Sequence, residues 1–164
     1  MLQLYGNRRP APHSASGAFP QPPLRAGHLS ATYAPRPSAV REARAAVRRH
    51  LEEWGLAEPD ASQDLTDTTA LLVSEVATHA LLHSTGDRIT LSLMAAHGVL
   101  RCEIGEIGGL GDGTGCARPT PGDRGMFLVA ALARRWGCEP DGPGGTVWFE
   151  LGTCVCDGCD RRQP

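Results

Sequence analysis

Three residues that can bind a metal ion or transfer protons recur at four-residue intervals in the segment SEVATHALLHS. Glu75, His79 and His83 occupy positions i, i+4 and i+8, so on an α-helix their side chains form one polar ridge. This spacing spreads them over about 12 Å of helical rise, so two of them with a distant residue make a better zinc or manganese site than all three together. The alternative interpretation is a polar groove lining without metal.

Further potential metal ligands occur near the C-terminus, in the segment CVCDGC. Cys154, Cys156 and Cys159 bring three thiols close together in sequence, which suits a thiophilic ion such as zinc. Structural zinc usually has four ligands, so Cys116, Cys138, a histidine or a second subunit would have to supply the fourth. The pattern leaves open a zinc site and an exposed tail that is prone to oxidation.

Composition limits the partners of this chain. The 164 residues carry a formal net charge of −2 and give a pI near 6.3, which argues against nucleic acid because phosphate binding needs a basic surface. No apolar run is long enough to span a membrane, and no signal-peptide segment is recognisable. We therefore expect a cytoplasmic protein without membrane partners, in which the six cysteines are free or metal-bound rather than in disulfides.

The pattern along the chain predicts an arm, one domain and a tail. Residues 1–27 are rich in Pro, Ala, Arg and Ser and predict a disordered arm, residues 28–152 form the domain, and residues 153–164 form a Cys-rich tail. Grouped helices beside hairpin-like strands predict an α/β (α+β) two-layer sandwich, with helices on one face of a mixed, mostly antiparallel sheet and a glycine-rich lid loop. We predict strands at 28–34, 88–95, 99–106 and 146–151, helices at 38–54, 62–82 and 124–135, and the lid at 108–122.

Local patterns add expectations about caps, turns and helix faces. Ser38 is expected to cap the first helix, Gly55 to end it, and His97 with Gly98 to form a tight hairpin turn. Asp123 occupies the N-cap position of the last helix. The residues expected to face the core are Val40, Ala43, Val47, Leu51 and Trp54 in the first helix, and Phe127, Leu128, Ala131 and Leu132 in the last.

This order of elements, with four of its segments, resembles the bacterial anti-sigma-factor serine kinases of the histidine-kinase-like (Bergerat-fold) ATPase superfamily. The segments are SAVREARAAVRRHLEEWGL, LVSEVATHALLHS, RGMFLVAALARRWG and GGTVWFEL, and the resemblance covers about residues 29–151. It implies a cytoplasmic regulator of transcription that holds ATP and Mg²⁺ between a helix and the lid. The implied partners are a sigma factor or an anti-sigma-factor antagonist protein, and a homodimer is left open.

The resemblance also implies roles for residues of the central helix. Glu75 corresponds to the family's acid/base or water-positioning carboxylate, and His83 to a histidine that often follows the family's asparagine. His79 stands where the family has that asparagine, whose oxygen ligates Mg²⁺. Mg²⁺ prefers oxygen ligands, whereas an imidazole nitrogen suits zinc or another transition metal. The metal position is therefore a departure from the family pattern.

Two further elements of the implied nucleotide site are matched in part. Glu106 stands where the family has an aspartate that accepts a hydrogen bond from adenine, Gly108 leaves room beside it, and Thr146 matches a threonine that helps to hold the base. Arg124 and Gly125 match the Arg-Gly start of the helix whose amide groups face the phosphates. Asp123 replaces a glycine there, and its carboxylate would repel phosphate.

These matches and departures leave three hypotheses open. The first is an ATP-dependent serine/threonine protein kinase or related regulator with a degenerate nucleotide site. The second is a non-enzymatic protein-interaction module that has lost ATP binding. The third is a metal-responsive regulator that uses His79 and His83 or the cysteine tail.

Overall fold

The computed structural model describes residues 27–57, 63–83, 85–108, 124–141 and 144–153. Within these ranges the chain forms helices and strands that alternate much as the sequence predicts. None of the helices in the described ranges is both long and apolar enough to cross a membrane. The elements are β1 (Gly27–Tyr33), α1 (Pro37–Glu53), α2 (Gln63–His83), β2 (Arg88–Ala96), β3 (Val99–Ile107), α3 (Arg124–Leu132), β4 (Arg135–Asp141) and β5 (Gly144–Gly152).

The five strands form one antiparallel sheet in the order β1-β2-β3-β5-β4. Strand residues alternate, so that Leu91, Leu93, Cys102 and Phe149 lie on one face and are buried in the same cluster as residues of α1 and α2. The helices therefore cover one face of the sheet. This arrangement confirms the predicted two-layer sandwich.

The turn between β2 and β3 sets the register of the central hairpin. His97 and Gly98 both have positive φ, 51° and 77°, as a two-residue type I′ turn requires. Ala96 then pairs with Val99, and the pairing continues along both strands. The predicted tight turn is confirmed, and it places the apolar residues of both strands on the face that the helices cover.

Helix α1 begins at Pro37, one residue before its expected cap. Arg36 is the N-cap residue and makes no side-chain capping hydrogen bond, so the expectation that Ser38 caps the helix is wrong. Pro37 has the φ angle of a first helical turn and starts the helix itself. Gly55, with φ 68°, follows the helix end as expected. The fully buried face consists of Ala39, Ala43, Ala46, Val47 and Leu51, while Val40 and Trp54 pack partly buried against it.

The segment after α3 departs most from the sequence prediction. Helix α3 ends at Leu132, and residues 135–141 form an edge strand where the end of a helix and a loop were expected. The backbone N–H of Arg134 donates a hydrogen bond to the carbonyl oxygen of Glu150, which brings the chain into the sheet. Gly137 and Pro140 make this segment look like a loop, but an edge strand tolerates both.

The buried face of α3 is also different from the predicted one. Met126 and Val129 are buried, because α3 packs on α2 through this side. The helix is apolar on several sides, so hydrophobic spacing could not identify the face that contacts the core. The residues expected to face inward are exposed: Phe127, Leu128, Ala131 and Leu132.

The two cysteines in the described ranges are in different states. Cys102 is buried and free. Cys138 is disulfide-bonded. The expectation of reduced or metal-bound thiols is therefore wrong for Cys138. The predicted arm and the Cys-rich tail lie almost wholly outside the described residues and stay predictions.

Candidate functional site

A groove lies between α2 and the helix-facing side of β3 and β5. The space between its walls, open solvent included, is about 290 Å³. We call this site the α2–sheet groove. It is lined by Val76, His79, Ala80, His83, Ile104, Gly105, Glu106, Gly145 and Val147.

The floor of the α2–sheet groove is apolar because the helix and the sheet both turn apolar side chains toward it. Val76 and Ala80 are four residues apart and face the sheet from α2. Ile104 and Val147 are paired neighbours on β3 and β5, and both are buried. Apolar side chains therefore line the groove from both the helix and the sheet.

His79 and His83 form the polar part of the helical wall. Their ring centroids are 4.5 Å apart with an interplanar angle of 44°. The side chain of His79 is only 9% exposed, whereas His83 is exposed to solvent. The predicted ridge thus exists for these two residues, and it faces the α2–sheet groove.

Glu106 lies at the end of the groove, near the connection between α2 and β2. Its Oε2 accepts a hydrogen bond of 3.3 Å from the backbone N–H of Gly86. Gly108 follows with φ +85°, and a Cβ built on it would lie 3.0 Å from Oδ2 of Asp87. A side chain at position 108 would thus be strained, and the structure brings Glu106 to the groove with a tight turn beside it.

Glu75 lies one helical turn before His79 but belongs to the contact between α2 and α3. A Cβ built on Gly125 would lie 2.7 Å from Oε2 of Glu75, so these two helices approach closely here. Arg124, at the start of α3, is exposed. The structure therefore brings Glu75 together with Gly125, while the groove itself is formed by other residues.

Thr146 is not brought to the groove. It pairs with Gly105, and its Oγ1 lies 2.7 Å from the position of a Cβ on Gly105, next to Oγ1 of Thr90 on the uncovered face of the sheet. Gly145 occupies the groove side instead. Strand alternation could have found this: Val147 is a core residue, so Thr146 must face away and Gly145 inward.

Some of the predicted metal ligands lie within the described residues and others lie outside them. Within the described residues, no group of three or more His, Cys, Asp or Glu side chains lies close enough to hold a metal ion. Glu75, His79 and His83 therefore do not form a three-ligand site. Cys154, Cys156, Cys159 and Asp123 lie outside the described residues.

The fold and the groove define a helix-covered antiparallel sheet with a shallow groove between its central helix and the sheet. No family model matches this chain, and no curated protein matches it. Among solved structures, it is similar to the crystal structure of the RsbU and RsbW domains of Rv1364c from Mycobacterium tuberculosis. The TM-score is 0.56 at 19% identity, and the match covers 77% of this chain and 32% of that one. This likeness shows the fold, and the chain spans about a third of that protein's length.

Proposed function

We propose that this chain is a cytoplasmic regulatory protein that acts on a sigma factor or its antagonist and binds the adenine base of a nucleotide in the α2–sheet groove. The sequence resemblance to anti-sigma-factor kinases supports this proposal, as does the likeness to a structure that includes an RsbW domain. The observation that carries it is the apolar groove that ends at the carboxylate of Glu106.

The groove has the chemistry that adenine requires. Val76 and Ile104 offer apolar surface to the faces of a planar base. Glu106 provides carboxylate oxygens, which accept hydrogen bonds only, to an amino group at the edge of the base. The absence of a side chain at Gly145 leaves room for the ring. The residues that would hold the base are thus Glu106, Gly145 and the apolar floor, without Thr146.

The described residues do not fit Mg²⁺ in the same way. His79 offers a ring nitrogen where the family offers an amide oxygen, and Mg²⁺ binds oxygen in near-octahedral geometry. Serine/threonine kinase activity, with Glu75 accepting a proton from the target hydroxyl, requires phosphates held in place by a metal. We therefore propose that this site binds a nucleotide, and we propose no phosphoryl transfer there.

The second candidate is a protein-interaction module without nucleotide, and one observation favours it. Phe127, Leu128 and Leu132 are large apolar residues of α3 with exposed fractions of 55%, 37% and 45%. Exposed apolar clusters on small proteins often mark a protein contact. A sigma factor or an antagonist protein that covers α3 would bury these apolar side chains whether or not a nucleotide is bound.

Calorimetric titration of ATP, ADP and adenosine tests the first candidate. We expect Glu106→Ala to weaken binding of all three by about 10-fold or more, since a hydrogen bond to a charged group is worth about 1.5–3 kcal/mol. Gly145→Val, which leaves Glu106 intact but fills the groove, should weaken binding as well.

The matched control is Glu52→Ala on the exposed face of α1, which should bind like the wild type. Thermal unfolding of each variant separates a loss of binding from a loss of fold. Absence of binding by the wild type, or equal affinities in all variants, would contradict the proposed nucleotide site. Absence of binding together with capture of a sigma factor would favour the second candidate.

A further inference from the structure

We infer that His79 and His83 bind a divalent transition-metal ion, of the class of zinc, cobalt, nickel or copper, in the α2–sheet groove. This site uses the same groove as the proposed function, but it needs no nucleotide. It replaces the Mg²⁺ site that the resemblance implies and that the donor atoms do not fit. Two imidazole nitrogens are suitable ligands for these ions and poor ligands for Mg²⁺.

The distance between the two rings permits one ion to contact both. Metal–nitrogen bonds to histidine are about 2.0–2.1 Å, and a ring nitrogen lies roughly 1.1 Å from the ring centre, so the ion would lie about 3.2 Å from each centroid. With centroids 4.5 Å apart, these lengths give an angle at the metal near 90°. The separation of the two ring centres is therefore compatible with one shared ion.

The surroundings of the pair favour binding and entry. Burial of His79 restricts its ring before an ion arrives, so little side-chain entropy is lost on binding. Exposure of His83 leaves a route for the ion from solvent. One nitrogen from each ring is enough, and a histidine ligand ordinarily keeps its second nitrogen in another interaction.

Two histidines fill only two coordination positions of the ion. The described residues supply no third ligand at this place, so the pair would hold the ion at two positions and leave the others to water or an anion. Such a site is open, like the metal sites that accept a substrate, and differs from closed structural zinc sites. An anionic group such as phosphate is the class of ligand that an open divalent ion would attract.

Metal titration in the absence of nucleotide tests this inference. The cysteines near the C-terminus could bind the same ions, so the background is the full chain with Cys154→Ser, Cys156→Ser and Cys159→Ser. We expect one Zn²⁺ or Ni²⁺ per chain by calorimetry, and a Co²⁺ absorption spectrum that contains no thiolate band. Mg²⁺ in about 100-fold excess should not compete.

His83→Ala and His79→Ala should each lower the affinity at least 10-fold, because either change leaves a single ligand. His28→Ala, an exposed histidine on β1, is the matched control and should bind like the background protein. His83 is exposed, so its variant should fold even if the His79 variant does not. Lack of binding in the triple-serine background, or equal affinity in the His83 and His28 variants, would overturn the site without affecting the proposed adenine site.

Discussion

At the scale of single residues, Cys102 shows how burial decides chemistry. It faces the helices from β3 with no exposed surface. Burial, with a smaller contribution from the charge of Glu103, raises the pKa of this thiol well above its ordinary value. The thiolate is the reactive form, so the position of Cys102 in the core makes it inert although it is free.

We expect Cys102 to resist alkylation by iodoacetamide in the native protein at pH 8.5 and to react readily in denaturant. Peptide mass spectrometry of both samples measures the difference. The raised pKa also makes stability depend on pH. The thiol ionises at a lower pH in the unfolded chain than in the folded protein, so the free energy of unfolding falls as pH rises through the ordinary thiol range. Alkylation of the native protein at the denatured rate would show that Cys102 is not in a stable core.

The sequence predicts some of the residues that line the groove and misses others. His79 and His83 were found because helical spacing places i and i+4 on one face. Glu106 is predicted from the family resemblance, which implies a carboxylate at the end of this strand. Thr146 is matched to the family by residue type, whereas in the structure the inward position of Val147 turns Thr146 to the uncovered face of the sheet. Gly145 has no side chain to attract notice.

At the scale of elements, the uncovered sheet face holds β4 in place through an interacting cluster. The guanidinium of Arg101 lies 4.1 Å from the ring centroid of Trp148 and hydrogen-bonds to Glu103 at 2.7 Å and to Glu150 at 3.1 Å. Partial burial lowers the pKa of Arg101, but these hydrogen bonds outweigh it and raise the pKa above its ordinary value. Arg135 of β4 approaches Glu150 from the other side at 3.8 Å, which links the edge strand to this cluster.

Gly137→Ala is expected to lower the free energy of unfolding by about 1–3 kcal/mol, as overpacking usually does. A Cβ at this position would lie 2.7 Å from Cζ2 of Trp148, so the indole would have to move from its place beside Arg101. Chemical denaturation measures the change. Gly152→Ala in β5 is the control, since its Cβ would meet open space. Equal stability of both variants would mean that Trp148 does not pack closely against Gly137 of β4.

Strand β4 also shows why the sheet could be predicted only in part. The β2–β3 hairpin is specified locally, by alternation and by a two-residue turn. β4 is specified by its partner: Trp136 faces Phe149, and Cys138 faces Val147, about ten residues further along the chain. A short segment with Gly and Pro carries little strand signal of its own, so its pairing cannot be inferred from neighbours in sequence.

At the scale of the whole molecule, the edge strand of the sheet carries a disulfide at Cys138. Cys138 lies on the helix-facing side of β4, opposite Val147 of the groove floor. Its disulfide is therefore anchored in the sheet that forms the groove. In the reducing cytoplasm that we propose, this bond would open, and β4 would be held by strand pairing, the Arg101 cluster and the packing of Trp136 on the core.

The stability of the chain should consequently depend on redox state through Cys138. Under non-reducing conditions, Cys138→Ser is expected to lower the free energy of unfolding by about 2–4 kcal/mol, since a disulfide restricts the unfolded chain. With a thiol reductant present, the wild type should approach the stability of the variant, because both then lack the link. Urea denaturation of both proteins in the two buffers measures the four values. A difference between the proteins that persists unchanged in reductant would mean that the serine disturbs packing on β4, and that the disulfide contributes little to the stability of the fold.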